Sequence, residues 1–480
     1  MLPVKSSLHK HILADQDMLQ LQNILLSLIL GTQTTYSIKY EPTWESLDSR
    51  PTPTWYDNAK FGIFMHWGPY SVPGIVSEWF WAYWKGGNKE ILDFMENNFP
   101  PNFQYQEFGP MFKAEFFNAT EWAEIVAGSG AKYFVFTTKH HDGFENWAGG
   151  RSFGWNAMDV GPKRDIVGEL AEAFDKQQTV RFGLYHSLFE WFHPLYLLDK
   201  KNRYKTQHFV KEKMGPELVN LIEKYKPDVL WSDGDWEATD TYWRSKEFLA
   251  WLYNDSPVKD SILVNDRWGK GIPCKHGDFF TCSDRFNPGT LQKHKWENAM
   301  TVDRKSWGNR RNMNLDDVLS THELIKTLAE TVSCGGNMLM NVGPDSSGMI
   351  PVIFQERLKQ MGDWLAINDE AIYSSQPWSC QNDTVSGSVW YTSRVDENYG
   401  VVVYAIVLKW PEHGELELGC PLPVDETRGE LVESGVEISW KRGKGVRTNL
   451  ILEMPTALRT SQVAWVVKLL HLENSGNYVG

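Results

Sequence analysis

Seven short apolar runs, each closing in polar or charged residues, constrain the fold of this 480-residue chain more than any other feature. They read FGIFMHWG (61–68), YFVFTTKHHDG (133–143), RFGLYHS (181–187), DVLWSDG (228–234), ILVNDRWG (262–269), DFFTCSDR (278–285) and NMLMNVGP (337–344). Helical patterns separate several of them, for example PELVNLIEKYK (216–226) and HELIKTLAETVS (322–333). Strands that alternate with helices imply a parallel sheet. Continuous apolar strand starts fit strands buried on both faces.

The polar ends carry His66, His140, His141, Tyr185, Asp233, Arg267 and Asp284. In a (β/α) barrel such ends converge on one face, where active sites are built. An open doubly wound sheet would show a glycine-rich phosphate loop opening a helix, and none is present. The expectation is therefore an α/β fold, a (β/α)8-like TIM barrel over residues 37–375. Beyond Pro377 the helical patterns vanish. The runs SVWYTSRV, YGVVVYAIVL, GVEISWKR and SQVAWVVKLL alternate or continue as strands between Gly, Asn, Asp and Pro. They predict a C-terminal β-sandwich over 378–472.

Charge narrows the partners. The formal net charge is −13 and no basic stripe runs through the sequence, which argues against nucleic acid. Lys441, Arg442, Lys444 and Arg447 read as a solvated hairpin. The 23 tryptophans suit either a core or a surface that stacks on sugar rings. Near the N-terminus, MLQLQNILLSLILG (18–31) is too short to span a bilayer and resembles the apolar part of a signal peptide. Residues 1–36 are thus expected to be a leader, with no membrane span. Asp15 and Asp17 leave open an amphipathic helix packed on the main domain. Sequons at Asn118, Asn254 and Asn382 fit a secreted or lysosomal glycoprotein. Of five cysteines, Cys274 and Cys282 are close enough to close a short loop, and the odd total leaves at least one thiol unpaired or paired between chains.

Asp233, at the end of an apolar strand beside Trp231 and before Gly234, is the sharpest catalytic candidate. An ionised carboxylate there, with basic neighbours, could attack an anomeric carbon. The bland reading is a loop or N-cap aspartate. His140 and His141 could hydrogen-bond sugar hydroxyls or, with Asp142, ligate a metal. His66 and the segment Ser77-Glu78-Trp79-Phe80-Trp81 could hold a sugar by hydrogen bonds and stacking; read blandly, the rings are core and Glu78 forms a surface ion pair. Glycoside hydrolysis needs a second carboxyl group. Asp284 and Glu297 are the candidates, and spacing does not choose between them.

Together these segments resemble the retaining α-L-fucosidases, in the animal lysosomal and plasma branch. The resemblance runs from about Tyr40 to Trp378. Its most specific blocks are FGIFMHWG, SEWFW, TTKHHDGF, DVGPKRDIVGEL, KPDVLWSDG, NDRWG, HKWE and GGNMLMNVGP. It implies an exo-acting hydrolase that removes terminal α-L-fucose from glycoproteins, glycolipids or oligosaccharides through a covalent intermediate, with no cofactor or metal. By motif, Asp233 corresponds to the nucleophile. His66, Glu78, Trp79, His140, His141, Tyr185 and Arg267 fall on fucose-binding positions, and Trp231 joins them as a stacking surface. Both Asp284 and Glu297 match carboxylates proposed as the acid/base in this branch, with a slight lean to Asp284. One departure is visible: many relatives carry a cysteine where this chain has Ala299. A fucose-binding lectin on a hydrolase scaffold is the competing reading. Linkage preference, pH optimum and self-association into a homo-oligomer stay open.

Overall fold

The structure is a computed structural model that describes residues 39–443, 449–459 and 461–476. The expected leader lies outside the described residues. Seven parallel strands form one curled sheet: β1 (Phe61–Met65), β2 (Tyr133–Lys139), β3 (Arg181–Ser187), β4 (Val229–Asp233), β5 (Leu263–Val264), β6 (Trp296–Thr301) and β7 (Gly336–Val342). Their order is β5-β4-β3-β2-β1-β7-β6. All residues of β1, β2, β4, β6 and β7 are buried, as continuous apolar runs require when both faces are covered.

Helices α1 (Ala119–Gly128), α2 (Ile166–Gln177), α3 (Gly215–Tyr225), α4 (Ser245–Asn254), α5 (Thr321–Ser333) and α6 (Val352–Ile372) pack around the sheet. Their starts follow from sequence. Asn118 caps α1, Asp165 caps α2, and Ser320 with Glu323 forms a reciprocal capping box on α5. Along α5, Leu324, Ile325, Leu328 and Val332 recur at helical spacing and are buried. Asn118 is therefore both an exposed sequon residue and a helix cap.

The barrel closes without a regular eighth strand. Residues 278–281 fill the gap between β5 and β6: Asp278 N donates to Val264 O at 3.1 Å, Phe280 N to Lys295 O at 2.9 Å, and Glu297 N to Phe280 O at 2.9 Å. The run DFFTCSDR is thus an irregular bridging segment, not the strand its apolar start predicts. The strand next to it, β6, lies in WENAMT, a stretch whose polar residues hide its β character. Asp278 explains the irregularity. Its carboxylate accepts from Val264 N at 2.8 Å and from Tyr253 OH at 2.9 Å, and it pairs with Arg50. These bonds hold the segment by a side chain where a ladder would use backbone.

Inside the barrel a single apolar layer gathers Tyr56, Phe64, Tyr133, Tyr185, Trp231 and Phe279 with smaller aliphatic residues. Gly62 makes room for it, since a Cβ there would sit 2.5 Å from the Tyr133 ring.

After α6 ends at Ile372, β8 begins at Gln376 and the chain becomes antiparallel. One sheet has six strands and a second has three. They share a core of residues such as Trp378, Tyr391, Val403, Leu418, Leu452 and Val467, the expected sandwich. This core is bound to the barrel helices: Thr392 Oγ1 donates to Ala371 O at 2.7 Å, and Trp364 Nε1 to Ala464 O at 3.1 Å. Cys274 pairs with Cys282, Cys380 with Cys420, and Cys334 is free and buried. The second bridge carries no signal in local spacing, because its cysteines are 40 residues apart.

Candidate active site

The C-terminal ends of the strands surround a small cavity of about 80 Å³. Its walls come from Phe64 and His66 after β1, Glu78 and Trp79, the His140–His141 pair after β2, and Tyr185 on β3. Trp231 and Asp233 on β4, Trp236, Arg267, Asp284 and Trp307 complete it. Larger clefts exist, one of about 860 Å³ beside Trp55 and Arg181. The small cavity gathers three carboxylates, three imidazoles and several aromatic faces on one spot.

Asp233 is the last residue of β4, and Gly234 (φ 85°) turns the chain immediately after it. The carboxylate is held at both oxygens. Arg267 Nη1 donates to Oδ1 at 3.0 Å, and Tyr185 OH donates to Oδ2 at 2.7 Å. Burial alone would raise its pKa. The Arg267 charge, with the hydrogen bonds from Tyr185 and Arg267, outweighs burial and holds the carboxyl below its usual value. Asp233 therefore stays ionised inside a buried site.

Arg267 has a second task. Its Nη2 donates to Asp284 Oδ1 at 2.7 Å, its Nε to Thr281 Oγ1 at 3.0 Å, and its guanidinium lies 4.7 Å from the Trp231 ring centroid. One planar cation thereby joins the carboxylate that ends β4 to a second one in the segment before β6. Their exposure differs. The Asp233 side chain is 11% exposed and that of Asp284 is 46% exposed.

The imidazoles are fixed as neutral groups. Burial lowers all three pKa values, that of His141 to about 4. Ser187 Oγ donates to Phe189 O, so it accepts from His141 Nδ1 at 2.7 Å. That leaves His141 Nε2 as a lone-pair acceptor 3.6 Å from Asp233 Oδ2. His66 Nδ1 donates to Asn341 Oδ1 at 2.8 Å. Neither His140 Nδ1 nor His141 Nε2 has a hydrogen-bond partner among the described residues. Buried orphan atoms of this kind are costly unless a ligand satisfies them.

Glu78 is not a surface ion-pair residue. It is buried, and its Oε2 accepts from Trp307 N at 3.0 Å, Gly308 N at 3.1 Å and Ser306 Oγ at 3.2 Å. As for a metal, Asp142 accepts from Tyr105 OH at 2.8 Å and from Phe144 N at 3.1 Å. Among the described residues no three His, Cys, Asp or Glu groups are arranged to hold an ion.

The two acid/base candidates separate clearly. Asp284 lines the cavity mouth. Glu297 does not line the cavity: it lies on β6 within the barrel, fully buried. It accepts from Tyr56 OH and Tyr133 OH, both at 2.7 Å, and from Trp231 Nε1 at 2.9 Å. Burial raises its pKa against those three hydrogen bonds. The remaining candidates, His66, Glu78, Trp79, His140, His141, Tyr185, Trp231, Asp233 and Arg267, all meet at the cavity.

Other residues of the site escape a strand-end reading. Trp236 is visible in the motif WSDGDW, and Phe64 sits two residues before His66. Trp307 and Ser306 lie in an irregular loop with no periodic signal. Asp235 is a fourth carboxyl, beside the three that line the site. Burial and the Asp233 charge push it up to about 7.

A TIM-like barrel with paired carboxylates, neutral imidazoles and indole faces at its C-terminal end defines a glycoside hydrolase. The family model for alpha-L-fucosidase matches residues 28–370, and that for the alpha-L-fucosidase C-terminal domain matches residues 381–470. An alpha-L-fucosidase of Branchiostoma floridae is 54% identical over 451 residues, covering 93% of this chain and 98% of that protein. The tissue alpha-L-fucosidase of Homo sapiens is 52% identical over 454 residues, covering 93% and 96%. A Thermotoga maritima alpha-fucosidase crystal structure, in complex with a mechanism-based inhibitor, superposes with a TM-score of 0.77 at 32% identity over 90% of this chain and all of that one. The chain belongs to the α-L-fucosidase family.

Proposed function

We propose that this α-L-fucosidase is a retaining exo-glycosidase, with Asp233 as nucleophile and Asp284 as acid/base. The observation that carries the reading is the Arg267 fork between the two carboxylates. It keeps one ionised and buried and holds the other at the mouth, on the side where a leaving group would depart. In the first step Asp233 attacks C1 of fucose, and protonated Asp284 gives its proton to the departing glycosidic oxygen. In the second, Asp284 takes a proton from water, which attacks C1 and releases Asp233. Retention calls for the two carboxyl groups to lie roughly 5–5.5 Å apart.

The sugar's hydroxyls meet Glu78, His66, His140 and His141, whose neutral nitrogens supply acceptors and donors. Trp79 and Trp231 offer stacking faces. Phe64 and Trp307, with ring centroids 6.0 Å apart, suit the C6 methyl that distinguishes fucose. Burying that methyl contributes up to about 1 kcal/mol. Substrates are terminal α-L-fucosides of glycoproteins, glycolipids or oligosaccharides. A secreted or lysosomal location fits two disulfides and relatives named for plasma and tissue.

The test is the Asp233→Ala variant with an aryl α-L-fucoside, alongside NMR of the first-formed anomer from the unmodified enzyme. The reading expects loss of turnover in the variant with the fold intact, and an α-anomer as first product. A β-anomer would mean inversion, and fucose binding without release would favour the lectin.

A further inference from the structure

Next to the fucose cavity lies a second cleft of about 650 Å³ whose charge is unlike the rest of the protein. Arg203, Lys205, Lys211 and Lys270 all line it. None of these four side chains has an ion-pair or hydrogen-bond partner among the described residues, although the chain carries 61 Asp and Glu against 48 Lys and Arg. One carboxylate, Glu237, lines the same cleft. It is already engaged: Lys200 Nζ donates to its Oε2 at 2.6 Å, Tyr196 OH at 2.9 Å and Tyr204 OH at 3.2 Å. Four uncompensated cations in one concavity raise the local potential and attract an anion.

The cleft is tied to the fucose site through the chain. Trp236 lines the fucose cavity and stacks on Trp79 at 6.1 Å, while its neighbour Glu237 lines the cationic cleft. One backbone bond and one side-chain bond fix the walls. Lys270 N donates to Ala238 O at 2.8 Å, and Gln207 Nε2 donates to Thr241 O at 2.9 Å. Arg203 and Tyr204 both adopt left-handed backbone, at φ 60° and 59°, a conformation that non-glycine residues seldom take.

We propose that this cleft binds an acidic group on the glycan that carries the fucose. The ligand class is a carboxylate or sulfate ester on a sugar near the scissile bond. The inference rests on the fucosidase reading. On that reading the small cavity takes the terminal fucose and leaves the remainder of the glycan outside the mouth. Its neighbouring sugars then pass the partly exposed Trp236 (40% exposed) and reach the four cations. Oxyanions form charge-assisted hydrogen bonds with Arg and Lys. Attraction of this kind fades with salt, since screening acts over about 8–10 Å at physiological ionic strength.

Three fucosylated lactosamines test it: a neutral one, one carrying terminal sialic acid, and one carrying a sulfate ester. They are compared on the full-length enzyme and on a variant with Arg203→Gln, Lys205→Gln, Lys211→Gln and Lys270→Gln. The variant should lose about tenfold in kcat/KM on one or both acidic substrates, and less than twofold on the neutral substrate and on α-L-fucosyl fluoride. Added salt should erase the preference in the unmodified enzyme. The sialylated and sulfated arms identify which oxyanion the cleft takes. Equal losses on all substrates, or acidic substrates turned over no better than neutral ones by the unmodified enzyme, would overturn the proposal. Failure of the unmodified enzyme to hydrolyse fucosyl fluoride would instead strike the fucosidase reading. Calorimetric binding of the unfucosylated sialylated and sulfated lactosamines still decides the cleft in that case: at least fivefold weaker binding to the variant supports it, and unchanged or absent binding refutes it.

Discussion

Arg267 grips Asp233 at 3.0 Å inside a site that shields both from water. This contact holds the Asp233 carboxyl below its usual pKa against the opposing effect of burial. A depressed carboxyl pKa gives an active carboxylate at every pH above it. Replacing Arg267 by Gln removes the lowering influence, so the carboxyl rises and activity is lost at higher pH than before. The acid limb of the kcat/KM profile should move up by about 1 pH unit or more. An unmoved limb would show that Arg267 does not set the ionisation of this group.

Tyr185 supplies the other hydrogen bond to Asp233, at 2.7 Å. Tyr185→Phe keeps the ring that stacks against Trp231 and His140 and deletes only the hydroxyl. A hydrogen bond to a charged group contributes about 1.5–3 kcal/mol. Turnover of an aryl fucoside should therefore fall by about 10- to 100-fold, with thermal stability little changed. Steady-state kinetics beside a melting curve checks both halves.

The acid/base assignment separates Asp284 from Glu297 by leaving group. Asp284→Asn should abolish cleavage of unactivated glycosidic bonds yet spare much of the turnover of fucosyl fluoride, whose leaving group needs no proton. Azide should restore part of the activity and yield a fucosyl azide. Glu297→Ala should act differently, leaving Tyr56, Tyr133 and Trp231 without their shared acceptor. Orphaned buried donors cost about 1–3 kcal/mol each, so the readout is a lowered Tm, with any loss of activity equal on all substrates and no azide rescue.

The Cys380–Cys420 bridge closes a 40-residue loop of the C-terminal sandwich. Cys420→Ser should cost about 2–4 kcal/mol of stability. Denaturant unfolding measures the loss, and kcat of the folded enzyme should stay within about twofold, since neither cysteine lines the cavity.

Strand-end chemistry made most of the cavity readable in advance. A parallel strand is mostly apolar inside the barrel and turns polar chiefly where it emerges, so His66, His140, Tyr185 and Asp233 announce themselves. Glu297 stands beside Asp284 as an equal candidate in the sequence, because sequence gives no depth. A carboxylate two positions into β6 looks the same whether it reaches the mouth or, as here, turns inward to two tyrosines and an indole. The run at 278–285 misled for the opposite reason. Its apolar start mimics a strand, while Asp278 anchors it through side-chain bonds that no periodicity records. Trp307 arrives from an irregular loop, so only three-dimensional proximity could bring it into view. Trp236 lay in plain sight beside Asp233, but its exposure at the mouth, and so its bearing on longer glycans, depends on the turn at Gly234.

The most direct measurement uses 2-deoxy-2-fluoro-α-L-fucosyl fluoride, which forms a glycosyl-enzyme ester but slows its hydrolysis. Peptide mass spectrometry of the inactivated protein should find one fluorofucosyl group, on Asp233 within LWSDGDW. A label on Asp284, on Asp235 or on no residue at all would contradict the covalent mechanism.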